Sequence, residues 1–206
     1  MPPLPDPNGV FLNIPYDEEF SSLYIAYIVG LFQLDLVPHI ASEIPGPKRR
    51  LDRIFELIQS CQYSIHDLSR VEVSVTPTGL PRFNMPLELG MTITWANIHP
   101  ESHIWSVWES EPNRLQRSAS DLNGTDPYIH TGTADGVLSE LRNAFRRDRA
   151  PSVPQMLTVY GLVNSALDSI LTGNGTRNPY SRGVFLDLCS LSRSLGNFYP
   201  PTKPTI

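Results

Sequence analysis

Short apolar runs alternate along this chain with longer segments in which apolar residues recur at every third or fourth position. The short runs are typical of buried strands and the longer segments of helices, so the pattern predicts βα units around a mostly parallel sheet. The predicted strands are residues 9–17, 35–41, 61–69, 103–110 and 126–132. The predicted helices are residues 18–33, 48–60, 85–97, 134–147, 154–171 and 182–194.

These elements predict a flavodoxin-like, doubly wound α/β fold with a five-stranded sheet and extra helices in the C-terminal part of the chain. The first helix is apolar on nearly every face and is expected to be deeply buried. Proline-rich stretches at residues 1–8 and 199–206 carry few bulky apolar side chains, so we expect both to be disordered tails. The remainder, residues 9–198, is predicted to form a single domain.

Composition narrows the classes of partner. With 206 residues, of which 40% are hydrophobic and 18% charged, the chain suits one globular domain. The formal net charge of -5 provides no basic surface for a polyanion, so nucleic acid is not an expected partner. The longest apolar stretch, residues 23–36, is interrupted by Gln33 and Asp35, so no membrane span is predicted. The first nine residues contain neither a basic nor an apolar region of the kind found in signal peptides, so no signal peptide is predicted.

Several classes of chemistry need motifs that this sequence lacks. Cys61 and Cys189 stand in apolar surroundings without CxxC spacing, which predicts neither a zinc site nor a disulfide and favours the reducing cytoplasm. The five histidines form no HExxH motif. Because no GxSxG elbow, Walker loop or GxGxxG occurs, we predict no serine hydrolase, NTPase or Rossmann dehydrogenase, and neither a metal nor a cofactor.

Polar residues at the carboxyl ends of the predicted strands are candidates for a site, because open parallel sheets bind ligands at that edge, where the strand order reverses. Tyr16 and Asp17 end the first strand, and Asp67 ends the third. Tyr16 and Asp17 are candidates for sugar binding, although Asp17 equally suits a helix cap. Asp67 equally suits a hydrogen-bonded turn with Ser69.

Glu88, in the segment RFNMPLELGMTI, is the strongest candidate. With Asn84 as the cap and Pro86 in the first turn of the helix, its carboxylate is expected beside unpaired backbone N–H groups. The helix dipole alone would stabilise it there by ~0.3 to 1 kcal/mol and keep it ionised. However, its neighbours Leu87 and Leu89 predict a helix end packed closely onto the sheet, where a carboxylate needs a polar partner or a ligand.

The segment between the third strand and this helix, residues 67–83, contributes further candidates for substrate binding. Arg70 and Arg82 are placed to reach a phosphate, although most arginines in loops are only solvated. Phe83, like Tyr16, is a candidate for stacking on an aromatic base. Asn84 completes the set of predicted binding residues.

Three segments, VFLNIPYD, SIHDLS and FNMPLELGMTI, occur in the order and spacing of a known superfamily. Over residues 9–93 they resemble the nucleoside 2-deoxyribosyltransferase and TIR-like proteins. The resemblance implies that Glu88 acts at the anomeric carbon of a nucleoside or nucleotide and that Asp67 helps to hold the sugar or base. It also implies that Tyr16 or Asp17 lines the pocket, and that the protein forms a homo-oligomer or binds a protein partner.

The chain departs from the pattern of these families in two places. The turn after the first strand lacks the Gly-Pro-Phe type of sequence found in the transferases. The WxxxE spacing typical of many NAD-cleaving TIR domains occurs at residues 105–109, in the predicted fourth strand, and does not include Glu88. The identity of the substrate is therefore left open.

The resulting hypothesis is a protein that binds a nucleotide or nucleoside and cleaves or transfers its N-glycosidic bond, with NAD or a nucleoside as substrate. Glu88 would attack the anomeric carbon or stabilise the positive charge that develops on the sugar. The main alternative is a catalytically silent TIR-like module that binds a nucleotide or a protein. A flavin-binding protein is the weaker third alternative, because no phosphate loop rich in Ser, Thr and Gly follows the first strand.

Overall fold

A computed structural model describes residues 4–44, 46, 48–72 and 80–198 of the chain. The middle of the predicted 67–83 loop and the whole of the predicted C-terminal tail lie outside these residues. The chain divides into two compact units, one formed by Met1–Pro15 and His39–Gly132 and the other by Tyr16–Pro38 and Thr133–Ile206. The prediction of a single domain over residues 9–198 stays a prediction.

A five-stranded parallel sheet of order β2-β1-β3-β4-β5 confirms the predicted flavodoxin-like α/β fold. β1 lies beside β3, although the chain passes from β1 to the edge strand β2 before it reaches β3. The strand order therefore reverses between β1 and β3, and we call the carboxyl ends of these two strands the switch point. The strands are β1 (Asp6–Asn13), β2 (Val37–His39), β3 (Cys61–Asp67), β4 (Ile104–Glu109) and β5 (Tyr128–Ile129).

Eight α-helices are present in the described part of the chain. In the first unit, the second and third helices pack on the sheet and on each other, and two apolar clusters fill the space beneath them. The helices are α1 (Ser21–Gln33), α2 (Arg50–Ser60), α3 (Asn84–Ile98), α4 (Arg114–Ser118), α5 (Ala134–Ala144), α6 (Val153–Ser165), α7 (Leu167–Gly173) and α8 (Arg182–Phe198). None of the helices in these residues is long and apolar enough to cross a bilayer.

In the second unit, α1 is packed against α5, α6 and α8. Its residues from Tyr24 to Val29 are fully buried, which confirms the predicted burial of this helix. Gly30 allows a particularly close contact with α5. A Cβ atom at this position would lie 2.4 Å from Leu141 Cδ1 and 2.9 Å from Leu138 Cδ2.

Three observed elements differ most from the predicted ones. β1 runs from Asp6 to Asn13 rather than over residues 9–17, because its pairing with β3 extends over polar residues that carry no apolar pattern. The helix predicted over residues 154–171 is divided at Ala166 into α6 and α7, and nothing in the structure explains the division. α4 has five residues, too few for a helical period to be visible in the sequence.

Candidate functional site

A buried hydrogen bond ties the start of α3 to the switch point. Asn13, the last residue of β1, donates through Nδ2 to the carbonyl oxygen of Met85 in the first turn of α3, at 3.0 Å. The same Nδ2 lies 2.9 Å from Nδ1 of His66 in β3. The first turn of α3 is therefore held where ligands bind in sheets of this kind.

Two buried histidines continue this hydrogen-bonded chain. His66 Nε2 lies 3.1 Å from Ser64 Oγ, which lies 3.0 Å from His103 Nε2, and His103 Nδ1 donates to the carbonyl oxygen of Cys61 at 2.9 Å. Burial lowers the pKa of His66 to about 3, with His103 acting in the same direction, and burial also lowers the pKa of His103. Both rings are neutral with both nitrogens engaged, so neither is placed to transfer protons to a ligand.

Glu88 lies one turn into α3, with 3% of its surface exposed. Burial raises the pKa of Glu88 to about 7, although Arg50 of α2 and a hydrogen bond with Asn84 act to lower it. The helix dipole therefore does not hold this pKa at or below its ordinary value, because desolvation by burial has the larger effect. Asn84 is also not the cap: it is the first residue of α3, and Phe83 holds the cap position without a side-chain hydrogen bond.

Asp67 belongs to a second buried cluster, at the carboxyl ends of β3, β4 and β5. Its Oδ1 accepts from the backbone N–H of Ser69 at 3.0 Å and from the Ser69 hydroxyl at 2.6 Å. His130 Nδ1 accepts from the backbone N–H of Gly132 at 3.1 Å, which directs Nε2 to Asp67 Oδ2 at 3.2 Å. Burial alone would raise the pKa of Asp67, but His130 and Ser69 together hold it below its usual value.

Glu109 and Arg114 complete this second cluster. Glu109 ends β4 and is 1% exposed, and its Oε2 lies 3.7 Å from Arg114 Nη1. Arg114 also donates from Nη1 to the carbonyl oxygen of Ser69 at 2.6 Å, and its Nε lies 3.2 Å from Oε1 of the exposed Glu72. Burial raises the pKa of Glu109 to about 7, against the charge of Arg114 and with a contribution from Asp67.

The structure does not bring Asp67 and Glu88 into one cleft. His66 faces the α3 side of the sheet through its contact with Asn13, so the next residue, Asp67, points to the opposite face. The partners of Asp67 occupy both of its oxygens, and the residue is fully buried. Glu88 alone is therefore supported as a catalytic candidate.

Tyr16 and Asp17 lie in the second unit, beyond the end of β1. The ring of Tyr16 stacks on that of Tyr180 with centroids 4.7 Å apart. Asp17 caps the 3-10 turn before α1, since its Oδ1 accepts from the backbone N–H of Phe20 at 3.0 Å. Of the two alternatives for Asp17, the structure supports the capping role.

Arg82 and Phe83 border an apolar cavity of about 460 Å³ beside α3. Phe83 is 75% exposed and Asn84 is exposed as well. Arg70 is half-buried and is not among the described residues that line this cavity. Of the predicted binding residues in the first unit, Arg82 and Phe83 thus line this cavity, whereas Arg70 and Asn84 do not.

Sequence reasoning missed Glu109, Arg114 and His130. A signal for two of them was present, because Glu109 ends the fourth strand and His130 follows the fifth, as Asp67 ends the third. The carboxyl ends of adjacent parallel strands meet at one edge of a sheet, so Asp67, Glu109 and His130 are expected to be neighbours there. Arg114 lies in the short helix α4 and had no such signal.

Metal-ligating side chains and thiols are the other groups that could carry chemistry in this protein. Within the described residues, no group of three or more His, Cys, Asp or Glu side chains is arranged to hold a metal ion. Both cysteines are free thiols. Burial raises the pKa of Cys61 to about 12, which makes it a poor nucleophile.

Glu109 predicts a pH dependence of stability. Its pKa is about 7 in the folded protein against 4.5 for an ordinary glutamate, so unfolding releases a proton between these values and the free energy of unfolding falls as the pH rises. Glu109→Gln removes this loss, so its free energy of unfolding relative to the wild type should increase by on the order of 1 to 3 kcal/mol between about pH 5 and pH 8. Urea denaturation at about pH 5 and pH 8 measures the difference, with the exposed Glu111→Gln as control. An equal difference at both pH values would contradict the prediction.

The sequence matches no family model, and comparisons with curated proteins and with solved structures give no match either.

Proposed function

We propose that the protein binds a nucleotide or nucleoside and cleaves or transfers its N-glycosidic bond, with Glu88 as the catalytic carboxylate. The position of Glu88 is the observation that carries this proposal. It is a buried carboxyl one turn from the start of α3, and the hydrogen bond from Asn13 to Met85 ties this start to the switch point. Ligands of doubly wound sheets bind at that point.

The chemistry requires an anion near the sugar. Breaking the bond between the anomeric carbon and the base nitrogen develops positive charge on the ring, and the bond's electron pair leaves with the base. Ionised Glu88 would stabilise this charge or form a bond to the anomeric carbon. Water or a second base then takes the sugar from the enzyme, which decides between hydrolysis and transfer.

The raised pKa of Glu88 favours a cationic substrate. With a pKa of about 7, the carboxyl is only about half ionised at neutral pH. A positive charge on the ligand, such as the nicotinamide ring of NAD, lowers the pKa of a neighbouring carboxyl and so favours the reactive anion. We therefore favour NAD over a neutral nucleoside as substrate, and we expect kcat/KM, which reports the pKa values of the free enzyme, to rise with pH through about 7.

Asn84 and Arg50 are the polar residues that act on Glu88. Asn84 is exposed and hydrogen-bonds Glu88, so it marks a path from solvent to the buried carboxyl. Arg50 begins α2 and contributes positive charge beside the same carboxyl. A nucleotide phosphate that paired with Arg50 would bring its sugar toward Glu88.

A catalytically silent binding module is the second candidate. It is favoured by the 3% exposure of Glu88 and by the cavity beside α3, which Arg82 and Phe83 line and Glu88 does not.

For both candidate functions we propose a reducing compartment such as the cytoplasm, because Cys61 and Cys189 are free thiols.

The purified protein should be incubated with NAD and with a panel of purine and pyrimidine nucleosides, with and without an added free base, and the released base followed by chromatography. We expect release from NAD that increases between about pH 6 and pH 8. Release that requires the added base would identify a transferase. Saturable binding by calorimetry without release would support the silent module, and the absence of both binding and release would overturn both candidates.

A further inference from the structure

The cavity beside α3 lies on the side of the helix opposite Glu88. At 3.6 residues per turn, Pro86, Gly90 and Ile93, which line the cavity, are about 140° to 160° around the helix axis from Glu88. Glu88 instead interacts with Arg50 of α2. The cavity is therefore separate from the site proposed for glycosidic cleavage.

The walls of this cavity are almost entirely apolar. Leu68 and Leu89 are buried members of the adjoining apolar cluster, and Ile93 packs against that cluster. At the outer edge, Phe83 is 75% exposed. A volume of about 460 Å³ falls in the range of small-molecule pockets, which are typically lined by apolar groups with a few polar ones.

Arg82 supplies the single charge among the described residues that line the cavity. Its backbone N–H donates to the carbonyl oxygen of Val71 at 3.0 Å, which fixes the chain at the point where both residues border the cavity. A guanidinium beside apolar walls is complementary to a molecule with a carboxylate at one end and an apolar body behind it.

Gly90 leaves the cavity open toward the backbone of α3. A Cβ atom at Gly90 would meet no atom of the described residues within 4 Å, so those residues leave the space in front of this glycine open. A residue with a side chain at this position would extend into the cavity without displacing any described neighbour. Replacing Gly90 with a larger residue is therefore a direct way to fill the cavity.

The geometry points to a second ligand site, in which this cavity binds a small organic anion with an apolar body, of the aryl-alkyl carboxylate class. The apolar body occupies the space between Leu68, Leu89 and Ile93, and the carboxylate pairs with Arg82. The inference is independent of the glycosidic activity, because Pro86, Gly90 and Ile93 lie on the side of α3 opposite Glu88, which does not line the cavity.

The test is calorimetric titration of the full chain with phenylbutyrate and with phenylbutanol, its neutral counterpart. Gly90→Leu fills the cavity, and Gly161→Leu is the matched control, since Gly161 is also a helical glycine whose Cβ would meet nothing within 4 Å. Arg82→Met removes the charge and keeps an apolar side chain. Circular dichroism establishes that each variant is folded.

We expect saturable binding of phenylbutyrate that is lost in Gly90→Leu and unchanged in Gly161→Leu. Arg82→Met should weaken phenylbutyrate about tenfold and leave phenylbutanol unaffected, as expected for one charged hydrogen bond. Equal binding of the acid and the alcohol by the wild type would overturn the assignment of an anion. Absence of saturable binding, or binding that Gly90→Leu leaves intact, would overturn the site itself.

Discussion

Glu88→Gln is expected to reduce the release of free base by at least about 100-fold, mainly through kcat, because glutamine keeps the shape of the side chain but cannot ionise. The amide can neither attack the anomeric carbon nor stabilise positive charge on the sugar. The increase of the wild-type kcat/KM through a pKa of about 7 should disappear with it. Initial rates of base release from NAD, measured over a range of pH values, test both expectations.

The same substitution provides its own control for folding. Because burial raises the pKa of Glu88 to about 7, its contribution to stability is full below pH 4.5 and is lost as the pH rises through 7. Glu88→Gln should therefore unfold at the same or a higher temperature than the wild type at pH 8. Glu101→Gln, on the exposed turn after α3, should leave turnover unchanged. Undiminished base release by Glu88→Gln would remove Glu88 from the mechanism.

His130→Ala is expected to lower the free energy of unfolding by about 3 to 5 kcal/mol. The substitution leaves the carboxylate of Asp67 buried without the ring that lies 3.2 Å from it. The pKa of Asp67 is held below its ordinary value of 3.8, so this carboxylate is ionised at neutral pH. Its contribution to stability is present above pH 3.8 and is lost only as the pH falls through the lower folded value. Urea denaturation at pH 7 measures the loss.

A double-mutant cycle separates this pair from general damage to the core. Asp67→Asn combined with His130→Ala should cost less than the two single changes together, by at least about 1 kcal/mol, because both remove the same contact. Asp121→Asn, on an exposed 3-10 turn, should cost less than about 0.5 kcal/mol. If the changes at Asp67 and His130 cost no more than the change at Asp121, the buried pair does not stabilise the fold.

The α/β architecture could be predicted because its elements have a period that is visible locally. β3 and α3 are found within two residues of their predicted positions, and the uniformly apolar α1 is buried as expected. β1 was misplaced at both ends, because the exposed residues at its start are held in the strand by pairing with β3 rather than by any pattern of their own.

The candidate site was predictable only in part, because its properties depend on contacts between distant segments. Glu88 was recognised from its neighbours in α3, but the direction of its pKa shift follows from burial beside α2, which a local pattern does not contain. Asp67 was recognised as the end of a strand. Its partner His130 is 63 positions away and approaches it only because β3, β4 and β5 are parallel neighbours.

Gly30 permits the close packing of α1 on α5 because it has no Cβ atom. Glycine inside a helix costs about 1 kcal/mol relative to alanine, so its presence in the middle of α1 requires a compensating gain. The gain is close packing: Leu138 and Leu141 of α5 contact the main chain of α1 at Gly30, in space that the Cβ atom of any other residue would occupy. A side chain at this position would push α1 and α5 apart, so the distance between the two helices depends on the absence of a Cβ atom at Gly30.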